Sequence, residues 1–171
     1  MKPLLLLLSV FPLILPLAEA QTTPNLSGTT WNTLSLHKFK VQRLGKDTDV
    51  EGVRVQFTSN VQFRLTAVMS GTVFTGTYTQ RGKRIDMTLD GAGLAEMNTV
   101  IRDWTQILMN IAGIPGIPAI QILDLKMRGN VKISARQGDS IKYKMQVKFT
   151  ASAAGQTVKG KYQVKGAGAR V

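Results

Sequence analysis

Residues Ser140 to Phe149, SIKYKMQVKF, alternate without a break. Ile141, Tyr143, Met145, Val147 and Phe149 share one side of an extended chain, and Lys142, Lys144, Gln146 and Lys148 share the other. Strict alternation of this kind marks a half-buried β-strand. It recurs along most of the chain, with Val, Ile, Thr, Phe and Tyr set against polar residues and Gly-containing turns at short intervals. The pattern predicts one strand from about Trp31 to Val41. A four-stranded meander comes next, through Val53–Phe57, Val61–Leu65, Phe74–Tyr78 and Ile85–Leu89. Four more strands are expected near Ile120–Met127, Val131–Arg136, Ser140–Ala153 and Thr157–Lys165.

The middle changes period. In LAEMNTVIRDWTQILMNI, Leu94, Met97, Ile101, Trp104, Leu108 and Ile111 recur every three or four residues, one face of an amphipathic helix over about 92–112. Asp90 or the Gly91–Gly93 stretch starts it, and Gly113 with Pro115 stops it. GIPGIPAI then leads back to strands, as a linker or as a mobile apolar tip.

Pairing must put apolar residues on one face, and this constrains each hairpin. A turn at Ser70-Gly71 sets Val68 opposite Val73, and one at Arg81-Gly82 sets Tyr78 opposite Ile85 and Gly76 opposite Met87. For the last hairpin, a turn at Ala154-Gly155 would oppose Lys148 to Lys161 and Lys144 to Lys165. Directly opposed like charges cost roughly 0.2–1 kcal/mol each. A type II′ turn at Gly155-Gln156 avoids this by pairing Lys148 with Gln163 and Phe149 with Tyr162, and is the expected register.

The expected fold class is therefore mainly β with one long helix (α+β). About nine antiparallel strands form a closed barrel or strongly curved sheet, with the helix inserted between two halves. Gly76, Ala67, Ala135, Ala151 and Gly160 fall on inward positions and leave space that either the helix or a ligand fills.

The N-terminus is of another kind. MKPLLLLLSVFPLILPLAEA has one Lys, an apolar run from Leu4 to Leu17 and an Ala-Glu-Ala end, the pattern of a signal peptide over 1–20. Pro12 and Pro16 and the short run argue against a membrane-spanning helix. The expected organisation is then a polar lead over 21–28, one domain over 29–166 and a flexible tail over 167–171. The chain is expected to be exported, to the periplasm or beyond. It has no Cys, so neither a lipid anchor on Cys nor a disulfide is available, and a packed core must hold the domain.

Charge adds a second theme. With 22 basic and 10 acidic residues the net charge is +12, and it stays +12 without Lys2 and Glu19. Such a balance suits polyanions. Lys126, Arg128, Lys132, Arg136, Lys142, Lys144, Lys148, Lys159, Lys161 and Lys165 all take the outward parity. That basic face suits an anionic membrane surface or polysaccharide, and lysines also keep exposed strand edges from pairing. Tyr143, Phe149 and Tyr162 lie on the opposite side, away from the lysines. No stacking platform for nucleic acid is formed, and no sequence-specific nucleic-acid binding is expected.

Catalytic and metal chemistry find little support. KDTDVEG resembles the opening of a calcium loop, but the twelfth position is Thr58, not Glu, and a strand comes after it; the segment reads as a solvated turn. His37 is the only histidine, on a strand position without a suitable partner in its neighbourhood, and reads as structural. The glycines of GAG and GAGA lack the Lys-Ser/Thr of a phosphate loop. No enzyme, cofactor or metal is expected.

LSGTTWNTLSL and FTGTYTQRGKRIDMTL resemble secreted lipocalin-like domains, with a Gly and Trp on the first strand and a G-T-Y-T hairpin. Gly28 and Trp31 are separated by two residues where that family has one, and the helix interrupts the strands instead of coming after them. The resemblance implies a barrel holding a small lipophilic molecule, with Trp31 closing one end. Candidate cavity residues are Trp31, Phe63, Phe74, Tyr78, Trp104, Tyr143, Phe149 and Tyr162. The expected function is non-enzymatic binding of an apolar or amphiphilic ligand. The alternative is a structural or interaction module that binds polyanions or a partner through the basic face.

Overall fold

A computed structural model describes residues 25–82, 84–114, 120–134, 140–153 and 156–171. The expected signal peptide, Ala135, Arg136 and most of GIPGIPAI lie outside them. Eight strands succeed one another: β1 (Thr29–Val41), β2 (Gly45–Phe57), β3 (Gln62–Ala67), β4 (Val73–Arg81), β5 (Arg84–Leu89), β6 (Gln121–Ser134), β7 (Ser140–Ala153) and β8 (Gln156–Arg170). Each pairs antiparallel with the next, and β8 returns to β1, so the sheet closes into a barrel. Helix α1 (Gly91–Ile111) stands between β5 and β6.

The alternation works as expected. Trp31, Phe39, Val55, Phe57, Phe63, Ile85, Val131, Ile141, Val147 and Tyr162 are buried inside, while the lysines between them stand outside. The Asp90 carboxylate caps α1 by accepting from the Gly93 N–H at 2.8 Å. Beyond the helix, Gly113 at φ +67 takes the left-handed conformation that ends helices. Met97, Ile101 and Leu108 are buried, as the helical pattern requires. Leu94 and Ile111 are not: they are 39% and 70% exposed, and Thr105 and Met109 are buried in addition. The helix packs chiefly on β4 and also touches β1, β2, β5 and β6, so it spans the bore at one end of the barrel.

Several expectations are corrected. There are eight strands, because residues expected to form two near Ile120–Met127 and Val131–Arg136 are one strand, β6. Gly129 and Asn130 sit mid-ladder, opposite Met145 and Lys144. The segment expected to be a tail is strand: β8 pairs with β1 as far as Arg170. KDTDVEG is no turn but the first half of β2. In the lead, Leu26 is packed into the core.

The three hairpin registers also differ, each by two residues. Leu65 opposes Phe74, Tyr78 opposes Met87, and Gly76 opposes Leu89. In the last hairpin, Lys148 opposes Lys161 and Lys144 opposes Lys165. A slip of two keeps every side chain on its own face, so alternation cannot choose between these registers. Large–small fit inside the barrel chooses. Gly160 lies opposite Phe149, and Gly166 opposite Tyr143. A Cβ at either glycine would fall within the facing ring. Likewise a Cβ at Gly76 would meet the Phe63 ring and the Thr88 carbonyl. Each aromatic ring lies over a bare backbone. In the register expected for the last hairpin, Phe149 would instead meet Tyr162.

Candidate functional site

The expected cavity residues divide among three places. At the end remote from α1, Trp31 is buried and donates Nε1–H to Thr29 Oγ1 at 3.1 Å. Nearby, Tyr78 packs edge-on to Phe57 with centroids 4.9 Å apart and donates its hydroxyl to the Ser59 carbonyl. Midway, Phe63 covers Gly76, and the Tyr143 hydroxyl meets Ser35 Oγ and Thr33 Oγ1. Thr33 in turn donates to the Val53 carbonyl at 2.7 Å. Burial pushes the Tyr143 hydroxyl pKa up, opposed by its two hydroxyl partners. At the α1 end, Phe39 packs among Phe149, Trp104 and Tyr162, with centroids 5.5, 5.6 and 6.2 Å away. The bore is thus largely filled by side chains.

Of the eight, Phe74, Trp104 and Tyr162 border a cavity of about 210 Å³ between α1 and the barrel wall. It brings in residues whose sequence neighbourhoods suggested only structural or solvated roles. His37 is buried, its Nδ1 2.7 Å from the Tyr162 hydroxyl. Burial lowers the His37 pKa and pushes the Tyr162 hydroxyl far up. Glu51, also buried, accepts through Oε1 from the Met69 and Ser70 N–H groups at 3.0 and 2.7 Å and so tethers the β3–β4 loop. Asp49 and Asp103 complete the rim. The available signal was parity: in LSLHKFKV, His37 shares a side with Phe39 and Val41. Its partners, though, come from β2, β8 and α1, far away in sequence.

The basic face is present outside, and closure of the barrel extends it. Lys126 opposes Lys148, Lys148 opposes Lys161, Lys161 opposes Lys40, and Lys40 opposes Lys46. Five exposed lysines therefore form one line across β6, β7, β8, β1 and β2. At a strand spacing of ~4.8 Å the line is roughly 19 Å long. It covers four of the eight inter-strand steps, about half the circumference. Lys132 and Lys142 form a further opposed pair, as do Lys144 and Lys165, while Arg128 faces Gln146. Lys159, opposite Thr150, flanks the line. Shallow grooves of about 390 and 330 Å³ lie along it, one beside Lys38, Lys40, Lys46 and Lys161, the other beside Lys126, Lys148, Lys159 and Lys161. The ion pairs among the described residues are Arg84–Asp86 at 2.9 Å and Lys126–Asp124 at 3.7 Å, so acids leave most of the line unneutralised. Lys38, Lys40 and Lys46 were absent from the expected face because only the closing β8–β1 contact joins them to it.

The molecule is thus a closed eight-stranded antiparallel barrel with an apolar inside and a charged outside. A membrane-spanning barrel has the reverse polarity, since Lys or Arg facing lipid costs about 2–4 kcal/mol at the bilayer midplane. Among the described residues no helix is long and apolar enough to cross a membrane.

No protein-family model and no curated protein matches the chain. Solved structures similar to it include the outer membrane protein OprG of Pseudomonas aeruginosa, 9% identical with a TM-score of 0.40, covering 87% of this chain and 98% of that one. Ail, the attachment invasion locus protein of Yersinia pestis, is 11% identical with a TM-score of 0.32, covering 85% and 99%. A multidomain protein including DUF1735 from Bacteroides ovatus is 10% identical with a TM-score of 0.30, covering 82% and 55%. At these scores the likeness carries no inference about activity. The barrel is common ground with the lipocalin resemblance; a lipocalin identity finds no support in these matches.

Proposed function

We propose that this is a non-enzymatic binding protein of the cell envelope that holds a flexible linear polyanion against the lysine line from Lys126 to Lys46. The carrying observation is the direct opposition of those five lysines across neighbouring strands. Four such oppositions cost about 1–4 kcal/mol together, from ~0.2–1 kcal/mol each. Two ordinary reasons for surface lysines do not account for that cost. Edge protection has nothing to act on, because a closed barrel has no edge strands. Solubility is served as well by lysines that alternate with glutamines.

Shape favours a polymer over a flat membrane. A plane touches a stripe of a barrel, whereas the line bends through about half its circumference. A chain that tracks the curve meets all five ammonium groups. The lipid-like ligand has less room: the space beneath α1, about 210 Å³, is below the ~300–1,000 Å³ usual for ligand pockets.

Fluorescence anisotropy with labelled oligothymidylate, a flexible polyanion of known charge density, tests the reading. Five contacts at ~0.7 per neutralised charge predict that log K falls with log salt at a slope of about −3.5. Anionic phospholipid vesicles should give a shallower dependence. Absence of binding at low salt, or binding insensitive to salt, overturns the proposal.

A further inference from the structure

The cavity beneath α1 differs in charge from the rest of the molecule. In a chain with 22 basic and 10 acidic residues, it is lined by Asp49, Glu51 and Asp103 and by no Lys or Arg. Its other walls include the rings of Phe74, Trp104 and Tyr162. An acidic, aromatic-walled recess in a strongly cationic protein is a selective environment.

Two further observations point to a ligand. His37 is 7% exposed and lines the cavity, and its Nε2 is buried with no hydrogen-bond partner among the described residues. A buried polar atom left unpaired has lost its water without regaining a hydrogen bond, so it marks a place where a partner is gained on binding. Glu51, at the cavity wall, spends Oε1 on the Met69 and Ser70 amides. The loop thus holds the carboxylate in place at the cavity.

A metal ion is the wrong cation: among the described residues no three His, Cys, Asp or Glu side chains come together to hold one. An ammonium group needs less. It donates to carboxylates without a fixed coordination geometry, and the faces of Trp and Tyr attract it. The volume, about 210 Å³, equals roughly seven waters at ~30 Å³ each, which limits the guest to one small ring or short chain.

We propose that the cavity between α1 and the barrel binds a small organic ammonium ion, its charge set on Glu51 and Asp49 and its apolar body against Trp104 and Phe74. Asp103, on the helix, closes the rim over it. His37 contributes its unpaired Nε2 to the polar end of the guest. This site lies apart from the lysine line and does not depend on it.

Isothermal titration calorimetry of the full chain with three probes of one shape and different charge tests this: 2-phenylethylamine, 2-phenylethanol and phenylacetate. The amine should bind saturably, at least tenfold tighter than the alcohol, and phenylacetate should show no binding. Glu51→Gln, which retains an acceptor for the loop amides, should weaken the amine about tenfold while circular dichroism shows a folded barrel. Should that variant lose its fold, Asp103→Asn on the exposed helix face and Ile107→Trp, which fills the cavity, serve instead; both should weaken the amine. Amine and alcohol binding alike, no saturable amine binding, or full amine affinity in the folded variants overturns the proposal.

Discussion

On the wall made by β6, β7, β8 and β1, outward positions carry Lys126, Arg128, Lys142, Lys144, Lys148, Lys161, Lys165, Lys38 and Lys40. On the wall made by β3, β4 and β5, they carry Gln62, Thr66, Thr75, Thr77, Thr79 and Thr88, with Arg64 set apart and Arg81 opposite Arg84 at the end of the β4–β5 hairpin. The insides of the two walls use one device. Phe149 over Gly160 and Tyr143 over Gly166 match Phe63 over Gly76. The contrast shows that the interior sets the register, and that the register then dictates which outward residues face each other. On the threonine wall this opposes one like-charged pair among the described residues, Arg81 and Arg84, and Asp86 lies 2.9 Å from Arg84 to offset it. On the lysine wall like charges are driven into opposition, at a cost that folding does not require.

The largest effects should come from the shared device. Phe149→Ala and Phe63→Ala should each destabilise by about 3–5 kcal/mol in denaturant unfolding, as large aromatic truncations do. A loss confined to one wall would break the claim that both are held alike. Gly160→Ala and Gly76→Ala should each cost about 1–3 kcal/mol by overpacking. Gly76→Ala should be the worse, because its Cβ meets the Thr88 carbonyl of the backbone as well as a ring, whereas the atoms nearest a Cβ at Gly160 all belong to the Phe149 ring.

The exterior should respond in the opposite direction. Lys148→Gln with Lys161→Gln should raise stability by about 0.2–1 kcal/mol for each opposition removed. On the threonine wall, Arg64→Gln should stay within about 0.5 kcal/mol of the parent. Equal effects would remove the contrast between the walls.

The smallest expected effect concerns pH. The unfolded chain protonates His37 near 6.5, while burial lowers its pKa in the folded barrel. Between those two values the unfolded state holds more protons, so stability falls as pH drops below about 6.5. The stability difference between about pH 7.5 and about pH 5 should therefore shrink in His37→Gln. An unchanged difference would show that His37 titrates alike in both states.

Much of this was legible in the chain. Alternation identified inward residues over most of the barrel but missed the first half of β2 and the end of β8, and the change of period at Leu94–Ile111 identified the helix. What alternation could not resolve was sliding by two, because Phe149 faces inward whether it meets Tyr162 or Gly160. The strand count failed at Gly129, which sits mid-strand between Met87 and Met145. The lysine line was legible only as a parity, since its continuity depends on that register and on the β8–β1 closure. The cavity was less legible still. His37, Glu51, Asp103 and Tyr162 come from four elements and meet only where α1 crosses the bore.

The most direct test of the central claim compares position at constant charge. One variant carries Lys40→Gln, Lys148→Gln and Lys161→Gln on the line; another carries Arg54→Gln, Arg64→Gln and Arg81→Gln off it. Oligothymidylate binding is then measured against salt for both. The line variant should lose about 2 from the slope of log K on log salt, at ~0.7 per contact, while the other stays close to the parent. Equal losses in the two variants would mean that net charge alone attracts the polyanion, and that the lysine line is not a binding site.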